Sequence, residues 1–203
     1  MRTVDPARFR ARRRHIVDAA AALFAAKGFE RTTTAEICRA AGMSSGNLFH
    51  YFRNKRAIFH AVFEEDGEEK ARRLEEARSR DDPWEGLLEI VDLLAVPATE
   101  PLAPPLVMEA MVQAYRDSEL EELLSRDSAA EHAAIASVLR KASAAGRTDP
   151  GLDPDHAASW VMALIASLYT SAATDPSFTP SEQLPMLRLI LRRFLLDGRE
   201  HRK

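Results

Sequence analysis

Apolar residues recur three and four positions apart along almost the whole chain, and no stretch alternates with the two-residue period of a half-buried strand. Ala, Leu, Glu and Arg, which enter helices at little cost, dominate. The chain is therefore predicted to be all-α, with proline and glycine marking where helices start and stop. The first helix runs from Pro6 or Ala7 to Lys27, with Ile16, Ala20, Leu23 and Phe24 on one face and Gly28 as its stop. Thr33 caps a short helix that ends at Gly42, and Ser44 or Ser45 caps another that reaches Tyr51. Asn54 caps a long helix from Lys55 to about Arg80. Five more follow: Asp82-Pro83 to about Val96, Pro101–Pro105 to about Asp117, Ser118 to Ala145 with a break considered at 125–128, Asp153-Pro154 to about Ala173, and Pro180 or Ser181 to Leu196. That makes about nine helices.

Charge divides the chain. Residues 1–60 hold 12 Lys and Arg against 4 Asp and Glu, while the remainder holds 16 against 27, a balance of +8 against -11. A basic front facing a polyanion and a solvated acidic body are expected from that split. Charge alone leaves a basic segment without a partner equally open. No apolar run approaches the ~20 residues of a membrane span, and Ile16 to Ala26 carries Asp18 and is expected as an amphipathic helix rather than a signal segment. A cytoplasmic protein, not membrane-bound, is expected. The single cysteine, Cys38, has no disulfide partner in the chain and is expected as a small buried residue, with a redox-sensing thiol as the lesser reading.

The segment Thr34 to Phe52, TAEICRAAGMSSGNLFHYF, reads as short helix, glycine turn, short helix. Ile37, Ala41, Leu48 and Phe52 would clamp the two helices, and Gly42 would supply the left-handed residue of the turn. Ser45, Gly46, Asn47, Phe49, His50 and Tyr51 would then face outward. Hydroxyls, an amide, an imidazole and aromatic rings suit a DNA groove. Lys55 opens a helix, where the dipole disfavours a cation, so a facing phosphate is expected there; Thr33 and Thr34 stand similarly at a helix start. The arginines at 8, 10, 12, 13 and 14 could follow the backbone or enter the minor groove.

Residues Ile16 to Phe59 resemble the DNA-binding domain of the tetracycline-repressor-like (TetR) family. The resemblance rests on AA-x-LF-x-x-KGF, the threonine cluster, I-x-x-AAG, S-x-G-x-LF-x-YF and the NK pair, over about 45 residues. It implies a helix-turn-helix domain over 1–54, with the motif at 34–52, and a helical ligand-binding and dimerisation domain over 55–203. It implies phosphate contacts for Thr33, Thr34, Tyr51 and Lys55. It implies that Ser44, Ser45, Gly46, Asn47 and His50 face bases or nearby backbone. Ala35 departs from the longer polar residue of many members, and Ser45-Gly46-Asn47 differs from commoner versions, which leaves the operator open.

Beyond about Glu65 the reading returns to pattern. The helices at 155–173 and 181–196 carry wide apolar faces, Trp160, Val161, Leu164, Ile165 and Leu168 on one, Leu184, Leu187, Leu191, Phe194 and Leu195 on the other. Such faces can bury on two sides, in the chain's own core and against a second copy. Trp84, Leu88, Met108, Met111, Val112, Tyr115, Trp160 and Tyr169 are candidate walls of an apolar ligand pocket. Glu109 would either recognise a cationic or hydroxylated ligand or lie on a solvated face. The six histidines show no i, i+4 pair and no HExxH, so no metal site is expected, nor a cofactor or an enzyme. The expected protein is a homodimeric, ligand-responsive regulator, most simply a repressor, on a pseudo-palindromic DNA operator. A ligand-independent DNA-binding protein and a helical interaction module with a degenerate motif remain as alternatives.

Overall fold

A computed structural model describes residues 5–64 and 67–196; His201, one of the six histidines, lies outside them. Among the described residues there are ten α-helices and one 3-10 turn, in the order α1 Pro6–Arg31, α2 Thr34–Ala40, α3 Ser45–Tyr51, α4 Lys55–Glu64, α5 Gly67–Arg78, α6 Pro83–Ala95, the 3-10 turn Val96–Thr99, α7 Ala103–Ala114, α8 Ser118–Ala144, α9 Pro154–Thr174 and α10 Pro180–Leu195. The expected helix from Lys55 to about Arg80 is described as α4 and α5, helical up to Glu64 and from Gly67 to Arg78, with residues 65–66 outside the description. The break considered at 125–128 is absent, because α8 runs through it.

The chain forms two compact units. The first comprises residues 1–67 and 105–123, the second 68–104 and 124–203. In the first unit α1 packs on α2 and α4, and α2 on α3. Ile16, Ala20, Phe24, Ile37, Leu48, Ile58 and Phe59 are fully buried there. Phe24, Phe29 and Phe59 close this core with ring centroids 5.0–5.8 Å apart, within the range where edge and offset contacts add to burial. Gly28 interrupts α1 at φ 81°, a left-handed conformation, so the regular helix ends at Lys27 as the sequence predicts.

The second unit has its own core, drawn from Leu87, Ile90, Val91, Ile135, Val138, Val161, Ile165, Leu187 and Leu191. At Gly86 a Cβ would lie 2.4 Å from the Ala77 carbonyl oxygen, so α6 approaches the end of α5 more closely than any side chain allows. Tyr169 donates its hydroxyl to the Leu94 carbonyl at 2.7 Å, and burial pushes the phenol up to about 12. Both wide apolar helices are two-sided. Val161, Ile165 and Leu168 of α9 and Leu187, Leu191 and Leu195 of α10 are buried, while Trp160, Met186, Leu189 and Ile190 stand exposed. At 21 residues, α9 is long and apolar enough to span a membrane by length and composition, which amends the expectation that no segment approaches that length.

Candidate nucleic-acid interface

A seven-residue helix has too few internal hydrogen bonds to persist in water, so α3 must be held by its ends and by one buried line. At its start the Ser44 hydroxyl accepts the Asn47 N–H at 3.3 Å. Ahead of it, Gly42 at φ 61° lets the Met43 N–H return to the Cys38 carbonyl at 2.9 Å, a glycine-terminated end for α2. Leu48 (0% exposed) and Phe52 (4%) form the buried line. Ser45, Gly46, Asn47, Phe49 and His50 are exposed, and Tyr51 is half-buried. Cys38 is buried, with its Sγ 3.9 Å from the Ser45 hydroxyl.

α2 is fixed by a reciprocal cap. The Glu36 N–H bonds the Thr33 hydroxyl at 3.3 Å, and the Glu36 carboxylate accepts the Thr33 N–H at 2.9 Å and its hydroxyl at 2.7 Å. With Lys27 also bonded to it, this carboxylate is held down to about 2, the lysine contributing most. Thr33 thus spends its hydroxyl proton inside the protein, while Thr34 is half-buried at the first position of α2.

Lys55 is placed otherwise than its expected role requires. Its ammonium donates to the carbonyls of Phe29 (2.7 Å), Thr32 (2.9 Å) and Glu30 (3.4 Å) and sits 4.2 Å from the Phe29 ring centroid. The terminal carbonyls of α1 account for a cation at the start of α4, so no phosphate is needed to explain it. Glu109 does not lie on a solvated face. Its carboxylate accepts the Phe29 N–H at 2.9 Å and the Gln113 amide at 3.0 Å, and lies where a Cβ on Gly28 would meet it at 3.0 Å.

Another polar cluster ties α4 to the start of α8. Asp117 Oδ1 accepts from Arg56 at 2.6 Å, and His60 Nε2 lies 2.8 Å from Asp117 Oδ2. Burial raises the Asp117 carboxyl, but Arg56, His60 and the Leu120 N–H outweigh it and hold it at about 2. His60, Asp117 and Glu119 bring metal-capable atoms within 4.8 Å of one another. Arg56 bonds both carboxylates, at 2.6 and 3.3 Å, so the group is an ion-pair network with its charge already met.

The candidate pocket residues do not behave alike. Trp84, Leu88 and Met108 are half-buried, as is Tyr169. Met111 and Val112 (each 55% exposed), Tyr115 (93%) and Trp160 (63%) are surface residues, which corrects the expectation that they wall an enclosed cavity. On α7 the inward positions are Leu106, Ala110 and Gln113 instead. In the second unit a groove lined by Arg73, Glu76, Arg80, Glu89, Asp92 and Leu93 is charged rather than apolar.

Two short crossed helices, the second pinned by a single buried line and otherwise open, in a basic segment, define the class: a helix-turn-helix DNA-binding regulator. Residues 16–62 match the bacterial regulatory proteins of the tetR family, and residues 84–196 match the C-terminal region of BetI-type transcriptional repressors; the chain belongs to the tetR family. The HTH-type transcriptional repressor Rv1474c of Mycobacterium tuberculosis (strain ATCC 25618 / H37Rv) is 42% identical over 88 residues, 43% of each chain. UidR of Escherichia coli (strain K12) is 26% identical over 147 residues, 70% of this chain and 71% of UidR. The chain spans less than half the length of Rv1474c in that alignment and 57% of YfiR of Bacillus subtilis in another. Among solved structures, a transcriptional regulator from Saccharomonospora viridis in complex with choline superposes with a TM-score of 0.79 at 18% identity, over 91% of this chain and 97% of that one. The SmeT–triclosan complex superposes at 0.76 with 23% identity, over 93% of each chain. At these identities the superpositions establish the fold.

Proposed function

We propose that the protein is a homodimeric repressor that binds a pseudo-palindromic DNA operator and releases it when a small organic molecule binds the 55–203 region. The observation that carries this reading is α3, seven residues long, with Leu48 0% exposed and Ser45, Gly46, Asn47, Phe49 and His50 all exposed. An exposed aromatic and an imidazole on so short a helix add nothing to its buried line, Leu48. They do suit a major groove, where such groups meet base edges and thymine methyls. Ser44, Ser45, Gly46, Asn47 and His50 face the bases or nearby backbone, and Thr34 and Tyr51 face phosphates, while Thr33, whose N–H and hydroxyl both go to Glu36, holds the start of α2. Lys55 acts from behind, by holding the end of α1.

The outward faces of α9 and α10, with Trp160, Met186, Leu189 and Ile190, join two copies. Two α3 helices then meet successive major grooves roughly 34–36 Å apart. A duplex-DNA reader of this kind works in the cytoplasm. Relatives of this fold were solved with choline, stearoyl-CoA and triclosan, which supports a small-molecule effector without choosing one. A coupling of about 1–3 kcal/mol between effector and DNA changes affinity 5- to 150-fold.

Selection of bound duplexes from a random pool by the full-length protein tests the DNA reading. The expected outcome is a two-fold-related pair of half-sites, bound with steep salt dependence. Recovery of no preferred duplex, or of a single asymmetric site, overturns it.

A further inference from the structure

We infer that Phe9 is a positioning residue for DNA reading by α3. It holds the rings of His50 and Tyr51 in place before DNA arrives. The inference rests on the DNA reading proposed above. Buried positions on α1 begin at Ile16, so the helix from Pro6 to His15, about 15 Å at 1.5 Å per residue, runs ahead of the core. This stretch is rich in arginine, and Phe9 is its one large apolar side chain.

Phe9 is half-buried, and it touches the reading helix rather than the core. Its ring lies 4.8 Å from that of Tyr51, tilted by 32°, and 6.1 Å from that of His50, nearly edge-on at 83°. The His50 and Tyr51 rings are themselves 5.3 Å apart at 80°. The three rings form a closed triangle. One turn further along, Arg13 lies 4.9 Å from the Phe52 ring centroid, so α1 grips the end of α3 at two successive points.

α3 alone cannot supply this. Its buried line, Leu48 and Phe52, fixes the helix but leaves the side chains of residues 50 and 51 unsupported. Side-chain freedom lost on binding weakens affinity, and a neighbour that removes this freedom beforehand restores it. Edge-on and tilted ring pairs at these separations are attractive beyond the area they bury.

The test uses full-length protein and the duplex that the wild type selects from a random pool, with affinity read by fluorescence anisotropy. Phe9→Ala is expected to weaken binding about five- to tenfold while the unfolding transition falls by no more than a few degrees. Phe9→Tyr, which keeps the ring, is expected to restore it. In a His50→Ala, Tyr51→Ala background Phe9→Ala is expected to cost nothing further. Wild-type affinity in Phe9→Ala, an equal loss in the double-alanine background, no rescue by Phe9→Tyr, or an alanine variant that unfolds each overturns the proposal while leaving DNA binding intact. A wild type that selects no duplex overturns the DNA reading, and this proposal with it.

Discussion

A cation at the first position of a helix opposes the helix dipole, and Lys55 stands there at the head of α4. Its ammonium answers a second helix end, donating to the carbonyls of Phe29 in the last turn of α1 and of Thr32 at its cap. Glu109 does the complementary work, accepting the Phe29 N–H that the interruption at Gly28 frees. One irregular turn thus has its donor met by a carboxylate and its acceptors by an ammonium. Hydrogen bonds to charged groups contribute more than neutral ones, so Lys55→Ala is expected to cost about 2 kcal/mol of stability. Urea unfolding measures it. Below the unfolding transition the salt dependence of DNA binding should be unchanged. A phosphate contact would instead lower the log-log salt slope by about one, and that result would return Lys55 to the DNA interface.

Ion pairs at Asp117 join α4 to the start of α8, and this gives the fold an acid-sensitive point. The Asp117 carboxyl is held at about 2 in the folded protein, below its ordinary value of 3.8. A depressed carboxylate stabilises the fold fully above the unfolded value and loses that contribution as pH falls through the folded one. The window is therefore pH 4 down to about 2, and Glu36, lowered from 4.5 to about 2, acts in the same window. Asp117→Asn is expected to lower stability at pH 7 and to fall less steeply than the wild type from pH 4 to 2. Thermal melts across that range check it, and parallel curves for the two proteins would refute it. Links of this kind are what sequence reading missed. Helix limits followed from local signals such as Asp82-Pro83, Asp153-Pro154, Gly42 and the Thr33–Glu36 pair, each within a few residues of the end it sets. The partners of Lys55, and the Phe29 N–H that Glu109 accepts, lie 23 to 80 residues away, and no spacing rule connects them. Phe9 did leave a trace, since it stands seven before Ile16 and so continues the inward stripe of α1. The exposed residues at and just beyond the end of α7 misled for a different reason. Met111, Val112 and Tyr115 look like cavity walls by type, but type alone cannot tell an inward from an outward apolar position.

At the level of the whole molecule, what remains to be accounted for is the apolar surface that the second unit leaves uncovered. Trp160 is 63% exposed on α9, and Met186, Leu189 and Ile190 are 51, 40 and 40% exposed on α10. Their neighbours Val161, Leu187 and Leu191 are already buried, so the outward residues are surplus to this chain's own core. Isolated exposed apolar residues are unremarkable, but four large ones on two adjoining helices suit the centre of a helical interface. A stable homodimer buries roughly 1,200–2,000 Å² in total, which two helix pairs can supply. Charges in such a centre would be desolvated without partners on both sides of the two-fold, and each change would be felt twice. Trp160→Arg combined with Ile190→Arg is therefore expected to give a folded monomer, with helical content and first-unit melting retained. Light scattering reads its mass, and anisotropy reads its binding to one and to two half-sites. Binding to the paired site should drop to that of a single half-site. A wild type that is monomeric at micromolar concentration, or a double variant that stays dimeric, would place the interface elsewhere, because these side chains would then be ordinary solvent-exposed surface.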